Sequence, residues 1–284
     1  MITSSAGKTF YKFTLGEMEC YSVFDGHTTY PSKNIFANAP SSELTPLLEK
    51  RNIPENKISI PFRCLLIKYK DNIALLDTGL GSDIIPTAGQ LLENLRQIGV
   101  PPESIDTVIF SHGHIDHIGG AVTKDGNPSF PNARYLMGRK EYMFWLSDLA
   151  IEMVGESVTH AIRNKLTPLQ NKLNFIEPNQ EIIPGLRSFA APGHTPFSLG
   201  FVLSADSRKA YYLAFSVMHP IHLEKPDWYT EFDTNPLETL NTKGHLLKQV
   251  STENNLVVFY HFPYPGVGYV HSKPDGTYEW SPMT

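Results

Sequence analysis

The densest concentration of reactive side chains in this 284-residue sequence is Ser111-His112-Gly113-His114-Ile115-Asp116-His117, four potential metal ligands within six residues of a chain that holds 11 histidines. His112 and His114 lie two apart, directly after the β-branched and aromatic run Thr107-Val108-Ile109-Phe110, so both imidazoles point to one side if the chain stays extended. Asp116 and His117 follow at once, and Gly119-Gly120 lets the backbone turn sharply into the next element. Imidazole nitrogen and carboxylate oxygen are the ligands zinc takes at catalytic sites, which keep a position open for water or substrate. The bland alternatives are a polar surface turn or a metal that only staples the fold. Structural zinc is usually closed by cysteines, however, and Cys20 and Cys64 each sit inside a strand-like run, so any metal must be held by histidine and carboxylate.

The elements that must position these residues are read from periodicity and turn chemistry. Strand-like runs at 19–24, 62–69 and 73–76 are separated by turns, with Lys70-Asp71-Asn72 as a hairpin connection. A short amphipathic helix is expected over 41–50, where a serine can cap its start, and a second over 91–98, ended by Gly99. Residues 107–110 form a buried strand that delivers the chain into the histidine cluster. Downstream the reading is strand at 134–137, helices at 140–149 and 158–172, strands at 186–190, 200–203, 210–215 and 256–260, and a helix near 237–250. The pattern is α/β with mixed sheets, in one domain spanning 1–284.

Composition narrows the partners. Hydrophobic residues at 41% supply a sizeable core. The net charge of −5, with basic residues scattered and no basic stripe, argues against nucleic acid. Residues 1–8 hold no apolar signal region, and no stretch approaches the ~20 apolar residues of a membrane span. The expectation is a cytoplasmic protein that acts on a small molecule and has no membrane partner.

The motif His112-x-His114-x-Asp116-His117 resembles the HxHxDH signature of the metallo-β-lactamase superfamily. Three further segments are similar to elements of that family. Ala74-Leu75-Leu76-Asp77-Thr78-Gly79 matches the segment whose aspartate supports the metal site through hydrogen bonds, which implies that role for Asp77. Ala191-Pro192-Gly193-His194-Thr195-Pro196 matches the third histidine of the first metal, and Val257-Val258-Phe259-Tyr260-His261-Phe262-Pro263 the last histidine. The resemblance implies an αββα sandwich of two mixed sheets flanked by helices. It also implies a first metal on His112, His114 and His194 and a second on Asp116, His117 and His261. The continuation Pro265-Gly266-Val267-Gly268 is like the lactonase and methyl-parathion-hydrolase branch.

One departure matters. Dinuclear members carry an aspartate that bridges the metals, and here Ser216, or Phe215 beside it, occupies that place. A neutral hydroxyl cannot supply the bridging anion, and two divalent cations held close together repel. The expectation is one or two zinc ions per chain, iron being suited to the same ligands. The chemistry implied is attack of metal-bound hydroxide on a carbonyl or phosphoryl centre, with Asp116 as a second-metal ligand that helps orient the nucleophile. An N-acyl-homoserine lactone or related lactone is the leading substrate. An organophosphate triester, an iron oxidoreductase of the same fold and a non-catalytic binding relative are the alternatives. His219 reads as a loop histidine in preference to a compensating ligand, and the run 227–233 as either an apolar pocket wall or core.

Overall fold

Long apolar runs with β-branched residues dictate strands buried on both faces, and the two longest set up the first sheet. The computed structural model describes residues 9–214 and 217–284. The first sheet holds β1 (Phe10–Leu15), β2 (Met18–Tyr30), β3 (Ile58–Tyr69), β4 (Asn72–Leu76), β5 (Thr107–Ile109), β6 (Arg134–Gly138) and β7 (Leu173–Ile176), side by side in chain order. Its first four strands pair antiparallel, and β4 through β7 run parallel. The second sheet, also in chain order, holds β8 (Glu181–Ile183), β9 (Leu186–Ala190), β10 (Leu199–Ala205), β11 (Arg208–Leu213), β12 (Leu256–Phe259), β13 (Val267–Ser272) and β14 (Tyr278–Pro282). Only β11 and β12 are parallel there, the helix between them making the crossover.

One hydrophobic core takes side chains from both sheets, among them Leu65, Ile67 and Val108 of the first and Phe201, Leu203 and Tyr212 of the second. The helices are α1 (Ser32–Ile35), α2 (Ser41–Lys50), α3 (Leu91–Gln97), α4 (Ile115–Ile118), α5 (Arg139–Leu146), α6 (Asp148–Val154), α7 (Glu156–Leu166), α8 (Ile221–Glu224) and α9 (Pro236–Thr252). A second core lies on the outer face of the second sheet, where Leu247 and Val250 of α9 meet Tyr211, Leu213, Val257 and Phe259. The result is the expected α/β sandwich of two mixed sheets flanked by helices.

Several boundaries differ from the sequence expectation, each for a local reason. The strand expected to end at Phe24 continues to Tyr30, because Asp25-Gly26 makes a bulge and not a turn. The Asp25 carboxylate accepts from Leu80 N and Leu91 N, which pins the bulge. Serine does not cap α2: Pro40 occupies the cap position and Ser41 is the first helical residue. The helix expected over 140–149 breaks at Ser147, whose backbone is extended and whose hydroxyl donates to Phe144 O. The helix expected over 158–172 begins earlier, at Glu156, and ends at Leu166, because Pro168 follows in a 3₁₀ turn. No helix among the described residues is long and apolar enough to cross a membrane.

Candidate metal centre

Strand β5 ends at Ile109, the chain bends at Ser111 and is extended at His114, and His112 and His114 lie together, their rings 3.1 Å apart at Nε2 and Nδ1, before α4 carries Asp116 and His117. The loop after β9 contributes His194, and the loop after β12 contributes His261. Two groups result, with ligand atoms within 4.8 Å of one another in each: His112, His114 and His194; and Asp116, His117 and His261. Each group joins a loop of the first sheet to a loop of the second.

Hydrogen bonding fixes which ring nitrogens are bare. His194 Nδ1 donates to Asp233 Oδ1 at 2.7 Å, His117 Nδ1 to Asp77 Oδ2 at 2.9 Å and His261 Nδ1 to Pro61 O at 3.1 Å. Ser111 Oγ donates to Asp77 Oδ2, which leaves it to accept from His112 Nδ1 at 3.0 Å. Each of these four rings therefore turns an unprotonated Nε2 lone pair inward. His117 Nε2 and His261 Nε2 are buried with no hydrogen-bond partner among the described residues. They lie 3.6 and 3.7 Å from the same oxygen, Asp116 Oδ2. In the other group His114 Nδ1 sits 3.1 Å from His112 Nε2 and 3.0 Å from His194 Nε2, a convergence that one proton cannot satisfy. A cation at the centre of each group would meet all of these lone pairs, and the donor set of nitrogen and carboxylate oxygen suits zinc. Burial reinforces this by pushing His112, His114 and His117 well below the usual imidazole range and His261 to about 3, so the rings stay neutral and available as ligands.

Asp77 is the organising group behind both. It holds a left-handed backbone (φ 59°), which turns its carboxylate back between the loops. There it accepts from Ser111 N and Oγ, His117 Nδ1 and Tyr212 Oη, all at 2.8–2.9 Å. Burial pushes it up to about 7 despite these bonds. Asp116 keeps 20% of its side chain exposed, and burial still raises it to about 6. A cation between Asp116 and the histidines would draw its carboxyl down again.

The structure brings together all six residues proposed from sequence as ligands, with Asp77 behind them. Ser216, the position without the bridging aspartate, lies outside the described residues. His219 belongs to neither group; its Nδ1 accepts from Ile221 N and its ring lies edge-on to Phe36. Sequence reading missed several functional neighbours. Asp233, in the run that reads as either pocket wall or core, is the carboxylate behind His194. Burial alone would raise it, but the hydrogen bond and charge of His194, with Thr230, hold it below the usual carboxylate range. Trp228 of the same run is core, 2% exposed and packed on Phe36. Tyr260 stacks on His117 at 4.1 Å, and its hydroxyl donates to Asp116 O. Its place beside His261 was the only available signal. A cavity of about 450 Å³ lined by Asp25, Thr78, Asp83, Gly120, Lys124 and Asp125 lies behind the Asp77 loop, and none of the six ligand candidates lines it.

A two-sheet sandwich whose strand-end loops converge on two groups of histidine and carboxylate defines an α/β protein with a site suited to divalent cations. The sequence model of the metallo-beta-lactamase superfamily matches residues 63–213, and the chain belongs to that superfamily. An N-acyl homoserine lactonase of Bacillus cereus is 26% identical over 162 residues, 50% of this chain and 58% of that protein, so the match spans little more than half of the relative's length. An N-acyl homoserine lactonase of Bacillus thuringiensis is 22% identical over 230 residues, covering 73% of this chain and 84% of the relative. Among solved structures, AidC, a dizinc quorum-quenching lactonase in complex with a product N-hexanoyl-L-homoserine, is 29% identical, covers 97% of both chains and superposes with a TM-score of 0.90.

Proposed function

We propose that this protein is a metal-dependent hydrolase that opens lactone rings, with N-acyl-homoserine lactones as the substrate class. The observation that carries this reading is the convergence of ring nitrogens on two adjacent centres, four of the five rings held by an outer hydrogen bond. His112, His114 and His194 would hold one ion and Asp116, His117 and His261 a second. Ions there supply Lewis acidity, acidifying water and polarising a carbonyl. The chain's own groups do the rest. Asp77 and Asp233 lock the tautomers and orientation of His117 and His194, and Asp116, the one carboxylate in either group, orients the attacking water. The water oxygen adds to the lactone carbonyl carbon and the ring C–O bond breaks. The departing ring oxygen takes the proton that the attacking water gives up and becomes an alcohol, leaving a hydroxy acid. The lactone assignment is supported by the names of the relatives above and by the AidC match over nearly the whole chain.

Without an aspartate at position 216, Asp116 is the one carboxylate in the two groups, so two dications held side by side would repel with little anionic charge to offset it, and binding of the second ion is weakened. The test is elemental analysis of metal per chain, paired with hydrolysis of N-hexanoyl-homoserine lactone with and without added Zn²⁺, for the wild type and for Ser216→Asp. Zinc-dependent ring opening, with a second equivalent of zinc retained by Ser216→Asp, is expected. Absence of zinc binding, or zinc binding with no lactone turnover in either protein, would overturn the reading. Turnover of a phosphotriester in its place would move the assignment to that substrate class.

A further inference from the structure

Helix α5 carries no candidate ligand, yet one of its residues touches both loops that do. Glu141, 1% exposed, accepts through Oε1 from Gly113 N at 2.9 Å and from Trp145 Nε1 at 2.7 Å, and through Oε2 from Thr195 Oγ1 at 2.8 Å. Gly113 lies between His112 and His114, and Thr195 follows His194. A single buried carboxylate thus bonds next to all three histidines of the first group. Its neighbour one turn along, Trp145, closes the arrangement. The Trp145 ring lies 5.6 Å from that of His114, and its Nε1 sits 2.2 Å from where a Cβ on residue 113 would be, so only glycine fits between the two histidines.

No cation pairs with Glu141 within salt-bridge distance among the described residues; its charge is met by these donors. A carboxylate buried in this way is costly unless hydrogen-bonded, and apolar packing of α5 would be served as well by a leucine. The donors that make it tolerable include both ligand loops. We infer that Glu141 is a positioning residue that sets the separation of the His112–His114 arm from the His194 arm, whose closest approach is the 3.0 Å between His114 Nδ1 and His194 Nε2. It rests on the metal reading proposed above. It deepens that reading by giving one outer carboxylate control of the first ion alone, since Glu141 makes no hydrogen bond to Asp116, His117 or His261 or to their sequence neighbours.

The test is zinc affinity of the full chain by chelator competition. It is measured for the wild type, Glu141→Ala, Glu141→Gln and Thr195→Val, and repeated in a His261→Ala background where only the first group is complete. Glu141→Ala should weaken the first ion about 10- to 100-fold, the usual effect of losing an outer-shell partner. Glu141→Gln should recover most of that affinity. Its amide oxygen still accepts from Gly113 N and Trp145 Nε1, and its N–H donates to Thr195 Oγ1, whose hydroxyl turns to Ser198 Oγ, 2.6 Å away. Thr195→Val removes one of these bonds and should fall between. If Glu141→Ala does not fold, Thr195→Val decides: wild-type affinity there overturns the proposal. So does a folded Glu141→Ala with unchanged affinity, or a Glu141→Gln as impaired as the alanine variant. A wild type that binds no zinc sinks the metal reading and this inference with it, whereas a zinc-binding wild type with unaffected variants sinks only the role of Glu141.

Discussion

At the scale of single residues, the outer hydrogen bonds decide which face of each imidazole is available. Asp233 accepts from His194 Nδ1 at 2.7 Å and is itself held by Thr230 N at 2.8 Å. Such a carboxylate fixes the tautomer and makes the opposite nitrogen a stronger donor to a cation. Replacing Asp233 by alanine should weaken zinc binding about 10- to 100-fold, whereas asparagine keeps an acceptor and should lose less. Equilibrium dialysis against Zn²⁺ checks both, and an alanine variant with unaltered affinity would refute the role. Four ligand candidates were legible because spacing alone concentrates them, His112, His114, Asp116 and His117 lying within six residues, whereas His194 and His261 were reached through the resemblance of their segments to a known family. Asp233 and Glu141 were not legible, since each lies tens of residues from the histidine or glycine it serves.

At the scale of elements, α9 contributes a buried cation that no sequence pattern flags. Lys243 is 1% exposed and donates to Trp228 O. Burial pushes its ammonium down to about 8, with Asp233 and Asp227 opposing the shift. An unfolded chain holds this proton up to about pH 10.5, so between pH 8 and 10.5 the unfolded state binds more protons and this group's contribution to stability rises with pH. Urea unfolding at pH 7.5 and 9.5 should show the wild type gaining roughly 2 kcal/mol relative to Lys243→Met over that interval. An equal response in both proteins would contradict the buried-charge assignment. Strand and helix existence was largely legible from apolar runs, as in β3, β5 and α9, while the Asn235 cap that starts α9 by accepting from Glu238 N was not read from the sequence. Boundaries were less so. The bulge that carries β2 past Gly26 depends on Leu80 and Leu91 donating to Asp25, and these residues are more than 50 positions away.

At the scale of the whole molecule, the ligand groups act as fasteners between the two sheets. His112, His114, Asp116 and His117 follow β5 of the first sheet, and His194 and His261 follow β9 and β12 of the second. Ions held by both groups would stabilise the docked sandwich over any state in which the sheets part. Ligand present at 100 times its dissociation constant adds about 2.7 kcal/mol, and for a chain of this size that corresponds to a rise in Tm of roughly 5 °C. Calorimetry with zinc and with a strong chelator checks it, and identical transitions in the two conditions would count against metal binding across the sheets. Sequence alone determined the α/β class, the strand that feeds the histidine motif and the cluster His112, His114, Asp116 and His117, because apolar periodicity and local spacing are properties of neighbouring residues, whereas His194 and His261 were reached only through the resemblance of their segments to a known family. Only the tertiary structure decided which bonds hold each ring, that Asp77 reaches both Ser111 beside His112 and His117, and that Asp233 and Glu141 stand behind the first group. Those relations depend on loops of opposite sheets being brought within hydrogen-bond distance when the common core closes.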